Sequence, residues 1–291
     1  MKRLALLALM LVPGCTPQRH PVGPPPPPPG PGLVLKGERL AVSHLVRDPD
    51  RRYAGDHLDV VTAGNAILCS WDRDRHIHLF AGRAEGVYDV AFLDASGKVL
   101  AIQGLPGDTE TGVSSAIEAR HALLLPPTWA KTHGLAAGDR AEFGPEIAAA
   151  KIAPMPQIKV AGKVLHVETS HRSEQRMRGL MHRPRMSADE GMLFLYRNED
   201  EHGYWMRNTL MPLDIAYFRA DGSLANVCRM KMYPNPAADE EPKAPSAGPV
   251  QYVLELNYGW FDALKLIDAD GRGAVKLEIP DAVLQLSKEA D

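Results

Sequence analysis

The sequence predicts a mainly β protein built from two tandem homologous domains, each a small β-sandwich or barrel with one or two short helices. Three observations carry this expectation. The chain repeats itself at an offset of 125 residues. Short apolar runs recur between turn residues such as Ala-Asp-Gly, as expected of many short strands. Proline is segregated: of the 25 prolines, ten lie before residue 33, and the chain as a whole, at 45% hydrophobic residues, has a globular composition.

The N-terminal elements come first. Lys2 and Arg3 precede the apolar stretch Leu4 to Val12, which is too short to span a bilayer and suits the apolar region of an export signal. It ends at Val12-Pro13-Gly14-Cys15, which resembles a bacterial lipobox with proline as its one departure. That resemblance implies cleavage before Cys15 and lipidation of its thiol, and two or more acyl chains anchor stably where one does not. Thr16, where aspartate would signal retention, implies the outer membrane of a Gram-negative bacterium. Residues 1–14 are thus read as a lipoprotein signal peptide. Residues 15–32 are read as a lipidated cysteine followed by a Pro-rich tether, in which Pro24 to Pro29 favours polyproline II.

The repeat defines the body. Residues 33–103 align with 158–228 without a gap, pairing Gly37 with Gly162, Leu68 with Leu193, Asp89 with Asp214 and Gly97 with Gly222. Trp129 then aligns with Trp260, so the second copy carries six extra residues before that point. The expected domains are 33–150 and 156–291. In the second, strands are expected at Ile158 to Val160, Val164 to Val167, Met192 to Tyr196, Leu213 to Phe218, Leu224 to Met230, Tyr252 to Leu256 and Ala274 to Ile279. A helix is expected over Ser173 to Met181, capped by Ser173, with Met177, Leu180 and Met181 on one face. Asp48-Pro49 opens the same helix in the first copy, and a short helix follows each of Trp129 and Trp260.

The second copy contains Glu174-x-Arg176-x-Arg178-Gly179-Leu180-Met181, Glu190-Gly191-Met192-Leu193-Phe194 and Tyr204-Trp205-Met206-Arg207-Asn208-Thr209. It continues with Pro212-Leu213-Asp214-Ile215-Ala216 and Tyr252-Val253-Leu254-Glu255-x-x-x-Gly259. These blocks resemble the domain-of-unknown-function family 192. The resemblance implies a β-rich, often exported domain and implies no activity or cofactor. The first copy resembles the family only through the second and is degenerate.

Comparing the copies yields the candidate site. Glu190, Trp205, Asn208 and Glu255 become Asn65, Phe80, Arg83 and Leu124 in the first copy, while the scaffold persists. The expectation is that Glu190, Trp205, Asn208, Asp214 and Glu255 line one polar cleft in the second domain. Drift of the first copy, with these residues acting as local turn-formers, explains the same substitutions. Asp214, retained as Asp89, is expected to be structural, holding the Arg207 to Pro212 turn through backbone N–H groups.

The leading function is non-enzymatic binding of an envelope ligand, a glycan or a protein partner, through that cleft. The alternative is a hydrolase-type enzyme using Glu190, Asp214 and Glu255 as acid–base groups. No nucleophile elbow, phosphate-binding loop or His-Glu-x-x-His motif occurs in the chain. The net charge of −3 argues against nucleic acid, and no cofactor or metal is expected. His76-Ile77-His78 reads as a surface pair rather than a metal site, Cys69 and Cys228 as buried free thiols, and Asp239-Glu240-Glu241-Pro242 as a solvated patch.

Overall fold

The structure is a computed structural model that describes residues 31–46, 61–62, 64–80, 86–107, 112–232 and 243–291. The expected signal peptide, Cys15, nearly all of the tether, Asp48-Pro49, Arg83 and the acidic patch at 239–242 lie outside the described residues.

The first half runs β1 (Gly32–Leu35), β2 (Glu38–Val46), β3 (Asn65–Arg75), β4 (His78–Leu79), β5 (Val87–Leu93), β6 (Val99–Pro106), β7 (Val113–Ser114), β8 (Ala119–Leu125), α1 (Trp129–Thr132), β9 (Ala141–Phe143) and α2 (Pro145–Ala148). The second half starts with β10 (Gln157–Val160), β11 (Lys163–Ser170), α3 (Ser173–Arg178), β12 (Glu190–Asp200), β13 (Gly203–Trp205), β14 (Leu213–Phe218) and β15 (Leu224–Met230). It ends with β16 (Lys243–Pro245), β17 (Val250–Asn257), α4 (Trp260–Ala263), β18 (Leu277–Glu278) and α5 (Asp281–Lys288). The protein is mainly β, as two tandem domains with few short helices.

Each half forms one seven-stranded sheet. The strand orders are β6-β5-β8-β3-β2-β1-β9 and β15-β14-β17-β12-β11-β10-β18, the same order position by position. In both, one neighbouring pair is parallel, β2 with β3 and β11 with β12. Register agrees too: Ala41 pairs with Asn65 as His166 pairs with Glu190, and Val90 pairs with Leu124 as Ile215 pairs with Glu255.

The sheets curl until their edges meet, through the bridges Lys98–Arg140 and Ser223–Lys276. Gly97 and Gly222 sit at these seams with φ of +83° and +80°. An added Cβ would lie 2.4 Å from the carbonyl oxygen of Ala141 or Leu277. Glycine is required there by both the turn and the close approach.

Alternation along each strand divides the side chains between two faces. In the second domain, Leu165, Val167, Leu193, Ala216, Phe218, Leu254 and Leu256 fill the inside of the curl with Phe261 from α4. Met192, Phe194, Leu213, Ile215, Tyr217 and Val253 face outward, covered by Leu180, Met186, Met206, Met211 and Ala244.

The expected helix is shorter than the spacing suggested. α3 ends at Arg178, where Gly179 turns out at φ +47°. Ser173 does not cap it. The Gln175 side chain accepts from the Arg172 N–H, and Asp291 accepts from the Ser173 N–H. The expected apolar face also divides: Leu180 is buried, but Met177 is 64% exposed.

Candidate functional site

The five residues expected in one cleft are not together. Asp214 is on β14 between Leu213 and Ile215, so it points to the opposite face from them, into the curl. It is fully buried and accepts N–H bonds from Gly259 (3.0 Å) and Phe261 (3.2 Å). Burial raises its pKa, opposed by those two bonds. Its role is structural, but it holds the β17–α4 turn rather than the Arg207 to Pro212 turn. Asp89 does the same in the first domain, accepting from the Ala130 N–H at 2.8 Å.

Glu190 and Glu255 share the outward face. Glu255 lies between Met192 and Ile215, its cross-strand neighbours, and is 5% exposed. Its charge bears on Tyr196, Tyr204 and Tyr217, all three pushed up chiefly by burial. The Tyr196 and Tyr204 hydroxyls bond each other at 2.8 Å, and Tyr217 donates to the Ala244 carbonyl. Glu255 therefore supports the floor beneath the Tyr204–Trp205 strand and does not open to solvent as a cleft wall.

Glu190 is 1% exposed and is covered by the first domain. β3 ends in Trp71-Asp72-Arg73-Asp74-Arg75, and alternation sends Arg73 and Arg75 to one side. The Arg75 Nη2 lies 3.1 Å from Glu190 Oε2 and also donates to Glu168 Oε1. Its Nη1 donates to the Met155 thioether at 3.3 Å. Arg73 donates to both oxygens of Asp189 at 2.7 and 2.8 Å, contacts His166 Nδ1, and lies 3.6 Å from Glu190. Arg183 completes the cluster with two bonds of 2.8 Å to Glu168. Ser187 donates to Glu118 and Arg185 to the Ala116 carbonyl along the same boundary.

Burial pushes the Glu190 carboxyl up to about 7, against the pull of Arg75. That lies above the unfolded value of about 4.3. The native state thus keeps a proton that the unfolded chain releases. The stabilising contribution is complete below about pH 4 and is lost as pH rises through about 7. Wild-type stability relative to Glu190→Gln is expected to fall by about 3 kcal/mol between pH 5 and pH 8 in urea denaturation. An equal gap at both pH values would show that Glu190 is ionised throughout.

Trp205 and Asn208 do reach the surface. Trp205 is 48% exposed, with the Arg207 guanidinium 5.7 Å from its ring centre. With Ser173, Arg176, Met177, Tyr196 and Tyr204 it lines a groove of about 220 Å3. Asn208, at φ +55°, lines a neighbouring pocket of about 280 Å3 with Glu174, Met177, Arg178, Met181 and His182. Phe80 of the first domain forms its remaining wall, beneath the Arg178 guanidinium at 4.6 Å. Met177 borders both depressions. A larger one of about 620 Å3, beside Arg197 and Leu284, is lined by none of Glu190, Trp205, Asn208, Asp214 and Glu255.

Residues 156–271 match the model of the family DUF192, described as uncharacterized ACR. The second half of the chain is a DUF192 domain. A protein of unknown function from Novosphingobium aromaticivorans DSM 12444 is similar to this chain at 30% identity, over 46% of this chain and 97% of its own, with a TM-score of 0.37. A putative transcription regulator from Sinorhizobium meliloti 1021 is 21% identical over 68% of this chain and 98% of its own, with a TM-score of 0.33. No curated protein matches the chain.

The buried ion cluster on the DUF192 domain was not anticipated. Glu168, Asp189, His166 and Arg183 each look like ordinary strand or loop residues, and their partners are over 90 residues away or on a different element. The signal available was the Arg-x-Arg alternation that prolongs β3 past its apolar run. Among the described residues, no group of three or more His, Cys, Asp or Glu side chains could hold a metal ion. His78, expected at the surface, is 6% exposed and bonds Ser114, while His76 bonds the Ser115 carbonyl. Cys69 is buried, its thiol pushed up to about 12 by burial. Cys228 is only half-buried, and both thiols are free. No described helix is long and apolar enough to cross a membrane.

Proposed function

We propose that the protein is a lipid-anchored envelope protein that binds a glycan or a protein partner, without catalysis, on the surface formed by Trp205, Met177 and Asn208. One observation carries this reading: Trp205 and Asn208, two residues absent from the degenerate copy, line two solvent-open depressions that share Met177. An exposed indole beside amide, guanidinium and carboxylate groups suits stacking on a sugar ring with hydrogen bonds at its edge. The resemblance of residues 1–15 to an export signal ending in a lipobox supports a ligand in the cell envelope.

The hydrolase alternative fares worse. Asp214 points into the domain interior, and Glu190 and Glu255 are 1% and 5% exposed. None of the three lines either depression. A carboxylate pair needs to flank the scissile bond to act.

A glycan array probed with the soluble body tests the reading. Trp205→Ala and Asn208→Ala are each expected to weaken binding at least about tenfold, the equivalent of one lost stacking or hydrogen-bonding contact. Glu190→Gln is expected to leave it unchanged. Binding that survives both surface changes would refute this surface as the site.

A further inference from the structure

The ion cluster between the domains is asymmetric. The acids Glu168, Asp189 and Glu190 come from the second domain, and Arg73 and Arg75 come from the first. Strand register makes Glu168 and Glu190 neighbours on one sheet face, because His166 pairs with Glu190 and Glu168 with Met192 across β11 and β12. The two carboxylates, with Met155 beside them, receive the planar end of Arg75. Arg183 donates to both oxygens of Glu168, sharing Oε1 with Arg75, and so fixes the carboxylate's orientation. Nη2 meets both carboxylates while Nη1 of the same plane reaches the Met155 thioether, a two-nitrogen spread that the single nitrogen of an ammonium group does not reproduce.

The reciprocal site is missing. Arg75 pairs with Ala119 as Asp200 pairs with Val250, so the second domain presents Asn198 and Asp200 where the first presents its arginines. Asn65 stands in the first domain where Glu190 stands in the second. Replacing a buried ion pair by apolar residues is often neutral or stabilising, so such a cluster is better explained by selectivity than by stability.

We propose that the second domain carries a guanidinium-binding site built by Glu168, Glu190 and Asp189, and that the first domain fills it in cis with Arg75 and Arg73. The degenerate copy thereby serves as a cover for the motif-bearing one. It also supplies Phe80 as a wall of the Asn208 pocket. The ligand class of the site is an arginine side chain.

Chemical rescue tests this on the full chain. Arg75→Ala removes the guanidinium and leaves its receptor. Methylguanidinium chloride at about 20 mM is expected to raise the Tm of Arg75→Ala saturably, by about 3 °C, at constant ionic strength. The wild type is expected not to respond, methylammonium is expected to have no effect, and adding Glu168→Gln is expected to abolish the rescue. Should Arg75→Ala fail to fold, Arg73→Ala carries the same test at the Asp189 and His166 edge. No response from either variant, or an equal response from the wild type, overturns the site. A wild-type chain that sedimented as a dimer and dissociated on Arg75→Ala would place the arginine donor in a second copy and overturn the cis assignment.

Discussion

Arg75→Met is expected to destabilise the protein by about 3 to 5 kcal/mol at pH 8, read by urea denaturation. The guanidinium is 3% exposed, so its removal leaves two buried carboxylates facing a methyl group. Glu168 keeps Arg183, but Glu190 is left with Arg73 at 3.6 Å. Most of the loss is therefore the cost of the stranded Glu190 charge rather than the value of the pair. Two consequences distinguish this account from simple loss of packing. Arg75→Met combined with Glu190→Met should recover most of the stability, because an apolar pair strands no charge. The single variant should also lose less at pH 5, where Glu190 is protonated. Additive losses in the double variant would mean that the two residues do not depend on each other.

Asp214→Ala is expected to cost about 3 kcal/mol, and Asp89→Ala about 1 kcal/mol, in the same assay. The difference follows from the number of donors each carboxylate satisfies. Asp214 accepts from Gly259 and Phe261, while Asp89 accepts from Ala130. Removing the carboxylate leaves those N–H groups buried without a partner, a larger penalty than the net value of the bonds themselves. Phe261 is fully buried inside the second curl, so losing the α4 start would also loosen the inner core. An Asp214→Ala chain of wild-type stability would contradict the structural role.

The comparison between copies located the scaffold well, but the structure disperses the residues it singled out. Asp214 persists as Asp89 because both brace the turn into a short helix, and that persistence was a correct sign of structure. Trp205 and Asn208 vanish from the first copy and do line solvent-open depressions that share Met177. Glu190 and Glu255 vanish too, for other reasons. Glu255 lies under a group of tyrosines, and Glu190 answers arginines from the other domain. A pairwise comparison registers that a residue changed and is blind to which environment it left. Met177 illustrates the same limit at short range: helical spacing placed it on an apolar face, but α3 stops at Arg178 and leaves it facing solvent.

By itself the sequence determined the two-domain β architecture, the main strands of the second domain and the paired glycine turns at Gly97 and Gly222, because these follow from local alternation, turn chemistry and an internal repeat. Only the tertiary structure decided which faces meet. Whether Glu190 lines an open cleft or a sealed ion cluster depends on Arg75, 115 positions away in the chain. Whether Asp214 joins it depends on a single step of strand alternation, which sends neighbouring side chains to opposite sides of the sheet. Such contacts between distant segments leave no local pattern, and here they separate the buried charges from the exposed tryptophan and the half-buried asparagine.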